Sequence, residues 1–434
     1  MMMTPRALPH RREDGGPLTR PLAAALVAGL ACTAVPGTVA AVPPAAAQAT
    51  APDDSAADPS GIAGADVPDV LRVRDTSGCP YRVSPPEPVT ETEAPKPGES
   101  APEPLPVHEP PAGGVRMGDC GVVAADGFAV PGELGASAWI VADAGTGEVL
   151  ATKDPHGRYR PASIAKVLLA LVAFRDLPLD KKVETTAEDE SIEGSRVGIQ
   201  AGATFTVEEL LLGLLMNSGN DCANALAREL GGRDVTLEKV NSLAAELGAT
   251  DTRIMHYDGL DAVGQSTSAY DMALFYRAAF GDPDFRRLAS TRLAELPTAT
   301  EGERFATSND NGLLIHGYPG ALGGKTGYTD DARHTFAGVA EQDGRTLVTV
   351  VLDTPAATLR PWEESWRLLD AGFAAPAGAS VGELDAAADA AGEGSGEAAQ
   401  GDTGGRGGVI ALAAAAVLVV AGVLAAVVRR RRSA

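Results

Sequence analysis

Ser163 and Lys166 stand three residues apart in "RPASIAKVLLA", with a proline just ahead and an apolar helical pattern behind. Three residues make one helical turn, so both side chains share a face at a helix N-terminus. The free N–H groups there favour an alkoxide and disfavour a protonated amine. A serine hydroxyl is a poor nucleophile until a base takes its proton, and a lysine whose pKa is lowered by burial or a neighbouring cation is such a base. Alone, the pair reads as a helix cap beside a solvated lysine. A second candidate is "LLMNSGNDCANA", where Ser218, Gly219 and Asn220 interrupt two apolar helical runs. By itself it is an ordinary helix-to-helix turn. The third is "GGKTG", in which Lys325 and Thr326 offer a cation and a hydroxyl beside Gly327, on a glycine-flanked strand suited to close backbone approach.

The stretch "GALGGKTG" also invites comparison with a phosphate-binding loop. That loop requires Gly-x-x-x-x-Gly-Lys-Ser/Thr followed by a helix, but the first glycine position is Pro319 and the residues after Thr326 read as strands around a hairpin at "EQDGR". A nucleotide is therefore not expected. The net charge of −22 argues against nucleic acid. No metal or other cofactor is expected, because the six histidines form no metal-ligand spacing such as His-Glu-x-x-His.

These residues need a scaffold. "SAWIVADAGTGEVLATKD" alternates around a glycine turn and predicts a hairpin. Five stretches in the middle of the chain, from "SIAKVLLALVAFRDL" to "SAYDMALFYRAAF", carry apolar faces with a period near 3.6. Strands at both ends with helices between them predict an α+β domain, an antiparallel sheet plus a helical cluster, over roughly Val130 to Ala375.

The flanks read differently. Residues 1–49 order basic, apolar and small-residue regions as a signal peptide does, with cleavage expected between Ala40 and Ala49. Residues 50–129 are rich in Pro and Glu and predict an extended, disordered extracytoplasmic spacer. Cys79 and Cys120 lie in it and could close a disulfide in an oxidising compartment, whereas Cys222 reads as a small apolar helix residue. Residues 376–408 form an acidic Gly/Ala linker. Residues 409–428 are uncharged and long enough for a transmembrane helix, and the basic tail 429–434 is expected in the cytoplasm. The protein is thus expected to be a single-pass cell-membrane protein whose folded domain lies outside the cytoplasm.

In chain order, Ser-x-x-Lys, Ser-x-Asn and Lys-Thr-Gly form the trio of class A β-lactamases and penicillin-binding proteins. With "PASIAKVL", "MNSGNDCANALA", "GLDAVGQSTSAYDMA", "GGKTGYTDDA" and "ESWRLLDAGF", the chain resembles the serine D-Ala-D-Ala carboxypeptidases, the low-molecular-mass penicillin-binding proteins, from about Ser137 to Phe373. The resemblance implies the β-lactamase/DD-peptidase fold and a peptidoglycan stem peptide ending in D-Ala-D-Ala as substrate, with β-lactams as covalent inhibitors. It implies Ser163 as nucleophile, Lys166 as its proton acceptor and Ser218 as a proton relay. Asn220 would bind the peptide backbone, and Lys325 and Thr326 the terminal carboxylate. Gly327 belongs to the same motif, Tyr328 would share an oxyanion hole with Ser163, and Arg360 would assist with the carboxylate. Many relatives carry a second, β-rich domain and an amphipathic C-terminal helix, and this sequence suggests neither. A DD-transpeptidase, a serine β-lactamase and a non-enzymatic wall scaffold are the alternatives. No Glu-x-x-Leu-Asn motif follows Ser218–Asn220 to supply a class A deacylation base.

Overall fold

A computed structural model describes residues 72–357 and 359–384. In chain order these form β1 (Val122–Ala124), β2 (Ala138–Asp143), β3 (Glu148–Lys153), α1 (Lys166–Asp176), β4 (Lys182–Glu184), α2 (Ala187–Ser191), β5 (Thr204–Thr206) and α3 (Val207–Asn217). They continue through α4 (Asn220–Glu229), α5 (Arg233–Glu246), α6 (Ala269–Gly281), α7 (Pro283–Ala289), β6 (Leu293–Pro297) and β7 (Arg304–Ser308). The last elements are α8 (Gly312–Ile315), β8 (Ala321–Thr329), β9 (Arg333–Gln342), β10 (Arg345–Thr354), α9 (Pro361–Ala374) and β11 (Gly382–Glu383).

The main sheet runs β1-β3-β2-β10-β9-β8, with β11 also on β3, and every pairing is antiparallel. This is the α+β arrangement expected from strands at the two ends of the domain. Strand β10 explains the layering. Its alternation sends Val348, Val350 and Leu352 into the core shared with the helical cluster, and Leu347 and Val351 into a second core under α9. A strand buried on both faces reads as one apolar run, as "TLVTVVL" does. Helix α1 is apolar on all sides and lies inside, with Val167, Leu168, Leu169, Ala170, Val172 and Ala173 all buried. Its first residue is therefore delivered to the middle of the molecule.

The flanks depart from expectation. From residue 72 the Pro/Glu-rich segment is laid along the domain instead of standing free, and the Cys79–Cys120 disulfide closes it into a strap. Proline supplies no N–H, so such a segment offers mainly acceptors. Arginines, which are donors only, satisfy them. Arg158 donates to the carbonyls of Val83, Leu105 and Pro106, Arg160 to that of Pro86, and Arg253 to that of Glu103. The fold also reaches beyond 130–375 at both ends, because β1 and β11 pair with β3. The linker expected over 376–408 consequently begins inside the sheet. The proposed signal peptide, the rest of that linker, the 409–428 span and the basic tail lie outside the described residues. Among the described residues no helix is long and apolar enough to cross a membrane.

Candidate active site

The chain enters the site through Pro161 and Ala162, the latter at φ +48°, a left-handed conformation that costs a non-glycine residue about 1 kcal/mol or more. Surrounding contacts hold it there: Thr335 Oγ1 donates to the Pro161 carbonyl at 2.9 Å and Tyr276 Oη to the Ile164 carbonyl at 3.1 Å. Residues Ala162–Ala165 form one 3-10 turn that runs into α1. It places Lys166 Nζ 2.8 Å from Ser163 Oγ. The same nitrogen donates to the Asp258 carbonyl at 2.5 Å.

Lys166 is fully buried, and burial pushes its amine down to about 7, with the Lys325 charge adding to the fall and Asp258 opposing it. Lys325, 1% exposed, is lowered by burial as well, against the pull of Asp310. Its Nζ donates to the Thr326 carbonyl at 2.9 Å and to Thr326 Oγ1 at 3.2 Å. Thr326 Oγ1 in turn donates to Asp310 Oδ2 at 3.1 Å. A buried amine poised near neutrality beside a serine hydroxyl is an activated nucleophile pair.

The turn between α3 and α4 carries Ser218 at φ +60° and Asn220 at the first position of α4. Asp221, fully buried, accepts from the N–H groups of Val197, Gly198 and Ile199 and so ties the preceding loop to α4. Asn220 Nδ2 donates to the Glu193 carbonyl at 2.8 Å. Ser218 Oγ and Asn220 Oδ1 are both buried without a hydrogen-bond partner. Leaving a buried polar atom unsatisfied costs about 1–3 kcal/mol, and such atoms concentrate where a ligand completes them. Asp310 knits this turn to the lysine strand, since its N–H donates to the Met216 carbonyl while its carboxylate holds Thr326.

Strand β8 is the edge strand on the far side of the sheet from β3, so one row of its backbone groups faces away from β9. Gly327 lets it press against the serine turn: a Cβ there would lie 3.0 Å from Ser163 N and 3.1 Å from Ala162 Cβ. That contact brings β8 against the backbone of Ser163, with Tyr328 the next residue along the strand. Gly259, at φ +87°, approaches the same turn from the other side, where a Cβ would meet the Ala162 carbonyl at 2.0 Å.

The structure therefore brings Ser163, Lys166, Lys325, Thr326 and Gly327 into one cluster, with Tyr328 next along β8 and the Ser218–Asn220 turn joined to it through Asp221 and Asp310. Arg360 lies on another element. It is exposed ahead of α9, its N–H donates to Glu363, and its charge adds to the burial that lowers the pKa of His334, the partner of Tyr328 across β8 and β9. The sequence reading missed Asp258 and Asp310. Asp258 acts through its main-chain carbonyl, which carries no residue-type signal, and Asp310 in "SNDNG" looks like turn chemistry. One carboxylate group among the described residues, Glu93, Asp261 and Asp331, is close enough to share a cation. Its members are already engaged by Arg160, Thr329 and Thr90 respectively.

A family model described as D-alanyl-D-alanine carboxypeptidase matches residues 125–356. The chain is 42% identical over 253 residues to the D-alanyl-D-alanine carboxypeptidase DacB2 of Mycobacterium tuberculosis, covering 57% of this chain and 86% of that protein. It is 31% identical to DacD of Escherichia coli over 55% of this chain and 63% of that protein, so it spans less than two thirds of the latter. A solved D-alanyl-D-alanine carboxypeptidase from M. tuberculosis superposes with a TM-score of 0.56 at 40% identity, covering 60% of this chain and 99% of that one. The Streptomyces K15 DD-transpeptidase does so with a TM-score of 0.51 at 28% identity, covering 55% and 97%.

Proposed function

Because the chain belongs to the D-alanyl-D-alanine carboxypeptidase family, we infer that the cluster around Ser163 removes the terminal D-alanine of peptidoglycan stem peptides through an acyl-enzyme. The observation that carries the assignment of roles is the 2.8 Å contact between Ser163 Oγ and the buried, lowered amine of Lys166.

The substrate's terminal carboxylate is paired with Lys325 and Thr326, which sets the penultimate carbonyl over Ser163. Lys166 takes the hydroxyl proton as the Ser163 Oγ–carbon bond forms. The negative charge on the carbonyl oxygen meets the N–H groups of Ser163 and Tyr328, donors held in place before the reaction starts. As the C–N bond breaks, the proton passes from Lys166 by way of Ser218 to the leaving D-alanine amine. Water then attacks the ester with Lys166 again as proton acceptor, releasing the shortened peptide and restoring Ser163. Asn220 Oδ1, buried without a hydrogen-bond partner, accepts from a peptide N–H. β-Lactams, whose carboxylate and cyclic amide imitate the same peptide, acylate Ser163 in the same way.

Replacement of Ser163 by Ala is expected to abolish covalent labelling by a fluorescent penicillin while leaving the thermal transition in place; labelling that persists in S163A would overturn the assignment. The likeness to a DD-transpeptidase structure supports a second reading, in which an amine replaces water in the deacylation step.

The proposal includes placement of the catalytic domain outside the cytoplasm, with 409–428 spanning the membrane once. The Cys79–Cys120 disulfide supports it, since such bonds persist in oxidising compartments. So do the uncharged 409–428 run and the four arginines after it. Protease added to intact cells should digest the domain, and protection of the region around Lys325 would contradict this orientation.

A further inference from the structure

The order of groups along β8 gives the substrate a direction. Lys325 and Thr326 hold the carboxylate end, and the Tyr328 N–H lies at the scissile carbonyl, so the acyl side of the peptide continues past Tyr328 toward Asp331. A strand rises about 3.4 Å per residue. A peptide laid along this free edge therefore reaches the hairpin turn between β8 and β9 within about three residues of the scissile bond.

What waits there is the strap. The N–H groups of Val89 and Thr90 donate to Asp331 Oδ1 at 2.6 and 2.9 Å, and Thr90 Oγ1 donates to Asp331 Oδ2 at 2.6 Å. Glu93 pairs with Arg160, three residues ahead of Ser163. Pro102 packs where a Cβ on Gly264 would fall, and Thr329 Oγ1 donates to Asp261 Oδ1 at 2.8 Å. The strap thus touches the segment entering Ser163, the end of β8 and the 258–266 loop. Between it and the β8–β9 hairpin lies a cavity of about 380 Å³ lined by Val89, Thr90, Tyr328, Asp330, Arg333, His334 and Pro355. Tyr328 lines this cavity and directly follows Gly327, which packs against the Ser163 turn, so the cavity lies one residue further along β8 from that contact. The Tyr328 ring lies 4.6 Å from that of His334, and its hydroxyl donates to Asp330 at 2.9 Å, leaving an aromatic floor with polar edges. A mixed lining of apolar, aromatic and charged groups, at this volume, suits an extended peptide.

We propose that Val89 and Thr90 of the disulfide-closed strap form one wall of the subsite that receives the stem-peptide residues on the acyl side of the scissile bond, so that the N-terminal segment sets the enzyme's preference for longer peptides. The proposal rests on the carboxypeptidase reading above and adds to it a specificity element outside residues 125–356.

Val89 is 53% exposed, so its substitution leaves the core untouched. The test compares kcat/KM for two substrates in the full chain: D-Ala-D-Ala carrying one small acyl group, and a stem pentapeptide ending in D-Ala-D-Ala. Val89→Trp, which fills the cavity, should lower the pentapeptide value about tenfold, within the range one pocket contact commands. The short substrate and the rate of penicillin acylation should stay within about twofold. Val89→Gly, which opens the wall, should shrink the wild-type preference for the pentapeptide. Equal losses on both substrates, or no loss on the pentapeptide, would overturn the proposal. Failure of the wild type to release D-alanine from either substrate would overturn the carboxypeptidase reading, and this proposal with it.

Discussion

Lys166 works because it is fully buried: with its amine brought down to about 7, a substantial fraction is uncharged near neutral pH and can accept the Ser163 proton. The uncharged form is the reactive one, so the rate of penicillin acylation should rise with pH through about 7. Lys325 helps to hold Lys166 at that value, while Asp258, Asp221 and Asp310 pull the other way. Lys325→Met removes a cation, so the limb should move to higher pH, and the KM for a D-Ala-D-Ala peptide should rise at least tenfold as the carboxylate loses its partner. A pH–rate profile of K325M whose limb stays in place or moves down would contradict this coupling. At this scale the sequence was informative where residue type and spacing carry the signal, as for Ser163 and Lys166, which the structure sets 2.8 Å apart. It was silent where a backbone atom does the work, as at the Asp258 carbonyl, because any residue supplies one.

The elements carry the precision of the site, and β8 carries most of it. Gly324 sits at φ +140°, where a Cβ would lie 1.9 Å from the Ala337 carbonyl. No side chain fits there without parting β8 from β9. Gly324→Ala should therefore destabilise the domain by about 3 kcal/mol and slow acylation in the molecules that still fold. A thermal transition unchanged from wild type would show that the strand tolerates the shift. The glycines of "GGKTG" already signalled close backbone approach in the sequence, and the long helices and both hairpins were legible because their apolar periods run over many residues. The paired strands Lys182–Glu184 with Thr204–Thr206, and Leu293–Pro297 with Arg304–Ser308, were not. At three to five residues each they are too short for a period to show.

At the scale of the whole molecule, with Met117, Val123 and Ala125 buried in the core, the described part of the Pro/Glu-rich segment is not the free spacer that its composition suggested. Its carbonyls find Arg158, Arg160 and Arg253 on the folded domain, a long-range pairing of acceptor-rich backbone with donor-only side chains that no local pattern records. The helical cluster and the sheet meet at the Ser163 turn, the strap contacts Arg160 just ahead of it, and the proposed substrate there is a peptide that ends in a carboxylate. The measurement that bears most directly on that conclusion is D-alanine release from an acyl-Lys-D-Ala-D-Ala peptide by the purified protein, before and after benzylpenicillin. Cleaving the peptide expels D-alanine and clears a path for water, whereas the opened β-lactam keeps its amine tethered beside the ester. Many turnovers on the peptide and arrest after one equivalent of penicillin are expected. Rapid penicillin hydrolysis without D-alanine release would contradict that conclusion.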